Sequence, residues 1–147
     1  MAKLFKGHPV LPGETSGEAA VSRGGFNTLA SFQKSVILQS KKATCSDQNN
    51  ADLYQKPLTD KILCLPQTIG STTGGLVIMT IARSGAAPRA MLFSEHIDSL
   101  AAAGVIMTDI WLEHRIIVVD QLGSEFLQAV NTGDKVTIHP DGAVEIE

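Results

Sequence analysis

The chain is expected to fold as one α/β domain with a mixed, partly closed sheet and a few helices. Three observations lead there. Short apolar runs bounded by turn residues alternate with helix-compatible segments through the middle of the chain, the order expected of parallel strands joined by crossovers. The C-terminal end instead reads as a β-hairpin, so strand directions must mix. The 147 residues suffice for one continuous core and not for two comfortable ones, and no linker rich in Pro, Gly or Ser divides them. One domain over residues 1–147 is therefore expected.

In chain order, Gly17 to Val21 is a short apolar-leaning strand, and Gly24-Gly25 then punctuates the chain. Ser35 to Leu38 (SVIL) reads as a short strand and Lys41 to Asn50 as a polar loop. Lys61 to Leu65 (KILCL) is a buried strand ended by Pro66. A loop, Gln67 to Gly70, leads into Ser71-Thr-Thr-Gly-Gly75 and a helix from about Thr73 to Ser84. In that helix Leu76, Met79, Thr80 and Arg83 keep a three-to-four spacing, while Val77, Ile78 and Ile81 make it apolar nearly all round, which predicts burial. Gly85 supplies the left-handed stop, with Pro88 beyond it.

Ala90 to Phe93 is the next strand, and Ile97 to Ala103 a short Ala-rich helix closed by Gly104. Val105 to Met107 and Ile116 to Val119 read as strands. Ser124 to Val130 is expected to be a helix with Ser124 as N-cap and Glu125 in its first turn. Asp134 to His139 and Ala143 to Ile146 form a hairpin around the turn Pro140-Asp-Gly142.

The composition excludes several function classes. At 44% hydrophobic and 18% charged the chain is an ordered globule, and with 5% aromatics its core must be built from Ile, Leu, Val, Met and Ala. Twelve basic against 15 acidic residues leave a net charge of −3, without a basic stripe, so no nucleic-acid partner is expected. The longest apolar run, Leu76 to Ala82, falls far short of the roughly 20 residues that span a bilayer. Met1 to Gly13 does not read as a signal peptide, which leads to the expectation of a cytoplasmic protein with no membrane partner. Of the two cysteines, Cys64 in its apolar run is read as a buried thiol. Cys45 is read as a loop residue, with no support for a disulfide between them.

One segment carries chemistry: strand, loop, then Gly70-Ser-Thr-Thr-Gly-Gly75 at the start of a helix. Glycines let the backbone turn sharply and approach a ligand closely. Hydroxyls and free N–H groups at a helix N-terminus favour a carboxylate or phosphate. An ordinary capped strand-to-helix turn has the same composition and remains open at this point. Competing motifs fail on residues. Leu76 follows Gly75 where a P-loop needs Lys, no G-x-G is present, and Ser71 has Gly directly before it and Thr73 two residues later, unlike a nucleophile elbow. No His follows the Thr-Gly-Gly, as a phosphohistidine domain would require.

Taken together, KILCLPQ, GSTTGG and the helix ending in Arg-Ser-Gly-Ala-Ala-Pro88 resemble the small subunit, or fused swivel domain, of aconitase X proteins. Gly17-Glu-Ala-Ala-Val-Ser22 and Thr132-Gly-Asp-Lys-Val136 match the same family in order and spacing, so the resemblance runs from about Gly17 to the C-terminus. It implies a swivelling β/β/α domain and a hydro-lyase active only with a large subunit. That subunit would hold an iron–sulfur cluster and most of the substrate pocket, with no cofactor or metal bound by this chain. By position in the motif, Ser71 is the serine that takes a proton next to a carboxylate, and Gly70, Thr72, Thr73 and Gly74 would contact a small carboxylate substrate. For Thr72 and Thr73, helix capping is the alternative. Family members act on cis-3-hydroxy-L-proline or on a phosphorylated mevalonate, and the absence of basic residues flanking GSTTGG leans toward the first. The chain departs from the family pattern at Gly75, where a second serine is common, and after Gly24-Gly25, where an Asp-Pro…Thr-Gly stretch is often found. A non-catalytic anion-binding module, or an assembly module without ligand, are the readings of a different class.

Other residues are set aside. His8, His96, His114 and His139 share no metal-ligand spacing and read as surface histidines. Arg23 beside Gly24-Gly25 reads as a loop arginine, with an anion contact as the alternative. Trp111 belongs either to the core or to a subunit contact, and Asp109 and Glu113 are assigned no acid–base role.

Overall fold

The computed structural model describes residues 2–147. The strands are β1 (Lys3–Lys6), β2 (His8–Leu11), β3 (Thr15–Val21), β4 (Phe26–Asn27), β5 (Ile62–Leu65), β6 (Thr68–Ile69), β7 (Ala90–Phe93), β8 (Ile117–Asp120), β9 (Lys135–Ile138) and β10 (Ala143–Ile146). The helices are α1 (Thr28–Ile37), α2 (Gly74–Arg83), α3 (Ser99–Trp111) and α4 (Ser124–Ala129).

Eight strands form one sheet in the order β1-β10-β9-β3-β5-β7-β8-β2, and β4 pairs with β6 beside it. The central run β3-β5-β7-β8 is parallel, while β9, β10, β1 and β2 add antiparallel edges. β1 and β2 occupy opposite edges, yet only Gly7 separates them. A flat eight-stranded sheet would set those edges about 34 Å apart at roughly 4.8 Å per strand. One residue cannot cover that distance, so the sheet rolls until its edges nearly meet. A Cβ at Gly7 would lie 2.6 Å from the Asp120 carbonyl oxygen, so only glycine fits this seam. This is the mixed, nearly closed sheet expected above. Both N-terminal strands escaped the sequence reading, because each is only four residues long and none of their residues is fully buried, so neither shows the buried apolar run or the clean alternation that marks a strand.

The sheet separates two cores. Ala20, Leu63, Leu65, Met91, Phe93 and Val118 face a layer of α1, α2 and α3. Ala19, Val21, Ile62, Cys64, Leu92 and Val119 point the other way, toward Phe126 of α4 and the hairpin residues Val136, Ile138, Val144 and Ile146. Burial on both faces explains why β5 reads as a continuous apolar run rather than as an alternation.

Four sequence readings are corrected. Ser35 to Leu38 is the last turn of α1 and not a strand; Asn27 Oδ1 caps that helix by accepting from Ala30 N at 3.0 Å, and Ile37 and Leu38 stay exposed at its end. Gly104 does not close a helix. α3 runs through it for 13 residues, so Val105 to Met107 is helical. On α2 the spaced set Leu76, Thr80 and Arg83 faces outward, while Gly74, Gly75, Val77, Ile78, Ile81 and Ala82 are buried. The α4 N-cap is Gly123, at φ +94°, with Ser124 as the first helical residue. Cys45 also departs from expectation: it is buried in the helix-side core, held where its N–H donates to Lys56 O and its carbonyl accepts from Gln55 N. The hairpin turn is as expected, with Gly142 at φ +92°.

Candidate functional site: the serine turn at the rim of the sheet

Parallel strands deliver their C-terminal ends to one rim, and the helices that follow begin there. Three helix N-termini gather at this rim around residues 67–74. Asp98 caps α3 by accepting from Ala101 N at 3.1 Å, and the same carboxylate accepts from Thr68 N at 2.8 Å and Thr68 Oγ at 2.5 Å. That clamp ties β6 to α3. Gly70 sits at φ +98°, and a Cβ there would lie 2.7 Å from the Asn27 side chain that caps α1. Gly70 is thus required twice, by its backbone and by its neighbour. A Cβ at Gly74 would meet Thr28 Cβ at 3.6 Å, which places the start of α2 beside the start of α1.

Ser71 stands half-buried between these anchors. Its Oγ accepts from Thr73 N–H at 3.1 Å and shares a hydrogen bond with Thr73 Oγ at 2.8 Å, while Gly74 N donates to the Ser71 carbonyl at 3.1 Å. Among the described residues no side chain caps α2. Thr73 spends its hydroxyl on Ser71 and not on the helix, so the capping alternative fails for that residue. The uncapped first turn leaves N–H dipoles open to a negative group. Thr72 is exposed, and among the described residues its side chain has no hydrogen-bond partner. Gly70, Ser71, Thr72, Thr73 and Gly74 therefore share one short turn, with the serine oxygen at its centre.

Gly75 does something else. A Cβ there would lie 2.8 Å from Leu100 O and 3.1 Å from Gly104 N, and one at Gly104 would lie 2.8 Å from Gly75 Cα. The two glycines let α2 and α3 touch backbone to backbone. No serine fits at Gly75 without separating the helices.

Arg23 faces away from the serine turn: its guanidinium donates to Leu127 O and to Asn131 Oδ1, and its backbone N–H to Asp52. It fastens the end of α4. His8, His96 and His114 are exposed and His139 is half-buried; His8 and His96 flank the buried Asp120, at 3.4 and 3.9 Å. Asp109 pairs with Arg115, which holds its carboxyl below the usual range. Trp111 is exposed, which removes the core reading. A metal cluster does not fit this chain. Cys45 and Cys64 are buried in different cores on opposite faces of the sheet, and among the described residues no group of His, Cys, Asp and Glu is placed to hold an ion. Asn27, Thr68 and Asp98, which hold the serine turn, escaped the sequence reading. The Asn27-Thr28 and Asp98-Ser99 pairs carried an available cap signal.

A rolled sheet between three parallel helices and a C-terminal hairpin, with a serine turn at its rim, is the aconitase X swivel domain. The sequence profile of that domain matches residues 4–146, and the chain belongs to this family. It is similar to the phosphomevalonate dehydratase small subunits of Archaeoglobus fulgidus, 27% identical over 143 residues and covering 97% of each chain, and of Aeropyrum pernix, 29% identical over 142 residues and covering 97% of this chain and 92% of that one. Among solved structures it is similar to the holo-form of Thermococcus kodakaraensis aconitase X, with a TM-score of 0.81 and 27% identity, over 99% of this chain and 98% of that one.

Proposed function

We propose that this chain is the small subunit of a heteromeric aconitase X-type dehydratase, and that Ser71 is the base that takes a proton next to a substrate carboxylate. The observation that carries this reading is the Ser71 oxygen held open at the rim with the Thr73 N–H aimed at it. A serine hydroxyl is a poor base at neutral pH, because its alkoxide is unstable in water. A donor fixed on Oγ, a second hydroxyl at 2.8 Å and the positive end of α2 all favour the alkoxide. The open N–H groups of α2, with Thr72, receive the substrate carboxylate; Thr73, expected from the sequence to share that contact, is committed to Ser71 instead, and Gly70 and Gly74 keep the backbone close to the substrate.

In the reaction the alkoxide takes the proton from the carbon next to the carboxylate. The freed electron pair forms the C=C bond as the neighbouring C–O bond breaks and releases hydroxide; the hydroxide takes a proton from solvent and leaves as water, and Ser71 gives its proton back to solvent, so the net change is loss of one water. The small subunit supplies the base and the carboxylate seat. The large subunit supplies the rest of the pocket, the iron–sulfur cluster included. We assign the complex to the cytoplasm; no helix among the described residues is long and apolar enough to cross a membrane.

For the substrate we favour cis-3-hydroxy-L-proline. Among the described residues no Lys or Arg side chain is hydrogen-bonded to the serine turn, and Arg23 is committed elsewhere. The names of the relatives favour phosphomevalonate as the second reading. Co-expression with the large subunit and dehydration assays on both compounds decide between them. Turnover by wild type, lost in a Ser71→Ala complex that still assembles, is the expected result. Equal turnover in both would remove Ser71 from the mechanism, and no turnover on either compound would favour a non-catalytic anion-binding module.

A further inference from the structure

α1 and the chain that returns along it enclose a cleft away from the serine turn. The helix is capped at Leu38, and Gln39 then reverses the chain in a left-handed conformation at φ +51°. Residues 40–46 run back beside the helix, fixed by Ser40 N–H to Ser35 O at 3.0 Å and Ser46 N–H to Ser31 O at 2.9 Å. Gln55, at φ +65°, donates to Cys45 O at 2.8 Å and forms the third wall. Between these segments lies a cavity of about 560 Å³, a size that takes a small organic molecule. Residues 70–74 do not line it, so it is separate from the proposed active site.

The lining carries one sign of charge. Lys34 and Lys42 border the cavity; among the described residues neither is ion-paired and no carboxylate lines it. Lys34 also suits the C-terminal end of α1, but Lys42, on the loop, has no such duty. The acidic residues of the same segment are turned to backbone donors, Asp47 to Asn49 N–H and Asp52 to Arg23 N–H. A second cleft, of about 510 Å³, shows the contrast, because its Arg89 and Arg115 are held by Asp60 and Asp109. In a chain of net charge −3, two unpaired cations on one concave surface mark where an anion is drawn. The hydroxyls of Thr44 and Tyr54 border the same space and have no hydrogen-bond partner among the described residues. Across Lys34, a shallower groove of about 240 Å³ is formed by Ile37 and Leu38, which are 69% and 62% exposed.

We infer that this cleft binds a small organic phosphate, with its phosphate held by Lys34 and Lys42 and its apolar part against Ile37 and Leu38. Two ammonium groups and two hydroxyl donors exceed what a singly charged carboxylate can satisfy. A phosphate ester carries nearly two charges and three acceptor oxygens, and lysines bind it as point charges without a fixed fork.

The test is titration of the full, isotope-labelled chain with phenyl phosphate and with inorganic phosphate, followed by amide chemical shifts and by calorimetry. Phenyl phosphate should saturate a single site, with the largest shifts at residues 34–46 and 54–55. It should bind about threefold or more tighter than inorganic phosphate, the return on burying a small apolar group. Lys34→Gln and Lys42→Gln should each weaken binding roughly tenfold with unchanged circular dichroism. Lys3→Gln, an exposed position on β1, should bind as wild type. Lys42 lies outside any helix, so its variant decides the matter even where Lys34→Gln loosens α1. Failure of phenyl phosphate to saturate, or wild-type affinity in both cavity variants, would overturn the site. Shifts centred on residues 70–76 would put the anion at the serine turn and overturn it equally. Binding to phosphatidylcholine vesicles carrying phosphatidic acid, with no response to phenyl phosphate, would make the cleft a lipid-headgroup site and overturn the soluble ligand. None of these outcomes involves the large subunit, so this inference stands or falls apart from the small-subunit reading.

Discussion

Ser71 and Thr73 form a hydrogen-bonded unit, and in the proposed reading Ser71 takes the proton while Thr73 tunes it. Thr73→Val keeps the N–H donor to Ser71 and removes the hydroxyl at 2.8 Å. That loss should lower kcat about tenfold, the usual worth of one hydrogen bond to a reacting oxygen, while Thr73→Ser restores it. Unchanged kcat in Thr73→Val would make the contact structural. Cys64 gives a second residue-scale test. Burial pushes its thiol well above the ordinary range, so the thiolate does not form in the folded chain at neutral pH. Alkylation at neutral pH should leave Cys64 unlabelled until denaturant is added. Its burial was legible from the apolar run around it. That of Cys45 was not, because its neighbours are polar and only the fold of residues 43–58 over α1 covers it.

At the scale of elements the informative pair is α2 and α3. Gly104 reads as a helix stop in sequence because glycine is a poor helix former, yet it sits mid-helix where a second backbone needs the space. Gly75→Ala and Gly104→Ala each gain helix propensity and lose the close contact. The clash should win, at about 1–3 kcal/mol of destabilisation per substitution in urea unfolding. The double variant should cost less than the sum, since the first displacement makes room for the second. Additive losses would show that the helices do not meet through these residues. Asp98→Ala removes both the α3 cap and the clamp on Thr68. It should cost about 1–2 kcal/mol for the cap alone and reduce turnover as well, because β6 leads into the serine turn.

The whole molecule is a rolled sheet whose seam is closed by strands that sequence patterning did not reveal. Surface ion pairs join segments remote in sequence, Lys6–Asp141 near the seam, Lys61–Glu18 and Arg89–Asp60, and one, Arg115–Asp109, spans the end of α3. In each, the hydrogen bond from the basic partner holds the carboxyl below its ordinary value, 3.8 for the aspartates and 4.5 for Glu18. A depressed carboxyl contributes stability that is fully present above its ordinary pKa and is lost as pH falls through the lowered one. The melting temperature should therefore be flat with respect to these groups above about pH 5 and fall with acid below about pH 4. The fall should be shallow because the pairs are exposed, and shallower still in high salt. Asp109→Asn should remove its share of that acid dependence, measured by thermal denaturation across the range.

The sequence alone determined the fold class, the central parallel strands, the C-terminal hairpin and the serine turn. Each of these rests on local chemistry: apolar runs, glycine turns and hydroxyls at a helix start. Tertiary structure alone decided where β1 and β2 go, that α3 continues through Gly104, and that Leu76 faces outward while Gly75 faces a neighbouring helix. It also decided that Asn27, Thr68 and Asp98 brace a turn remote from them in the chain. The physical reason is common to all of these. They depend on which backbone lies opposite, and periodicity within one segment carries no information about its neighbour.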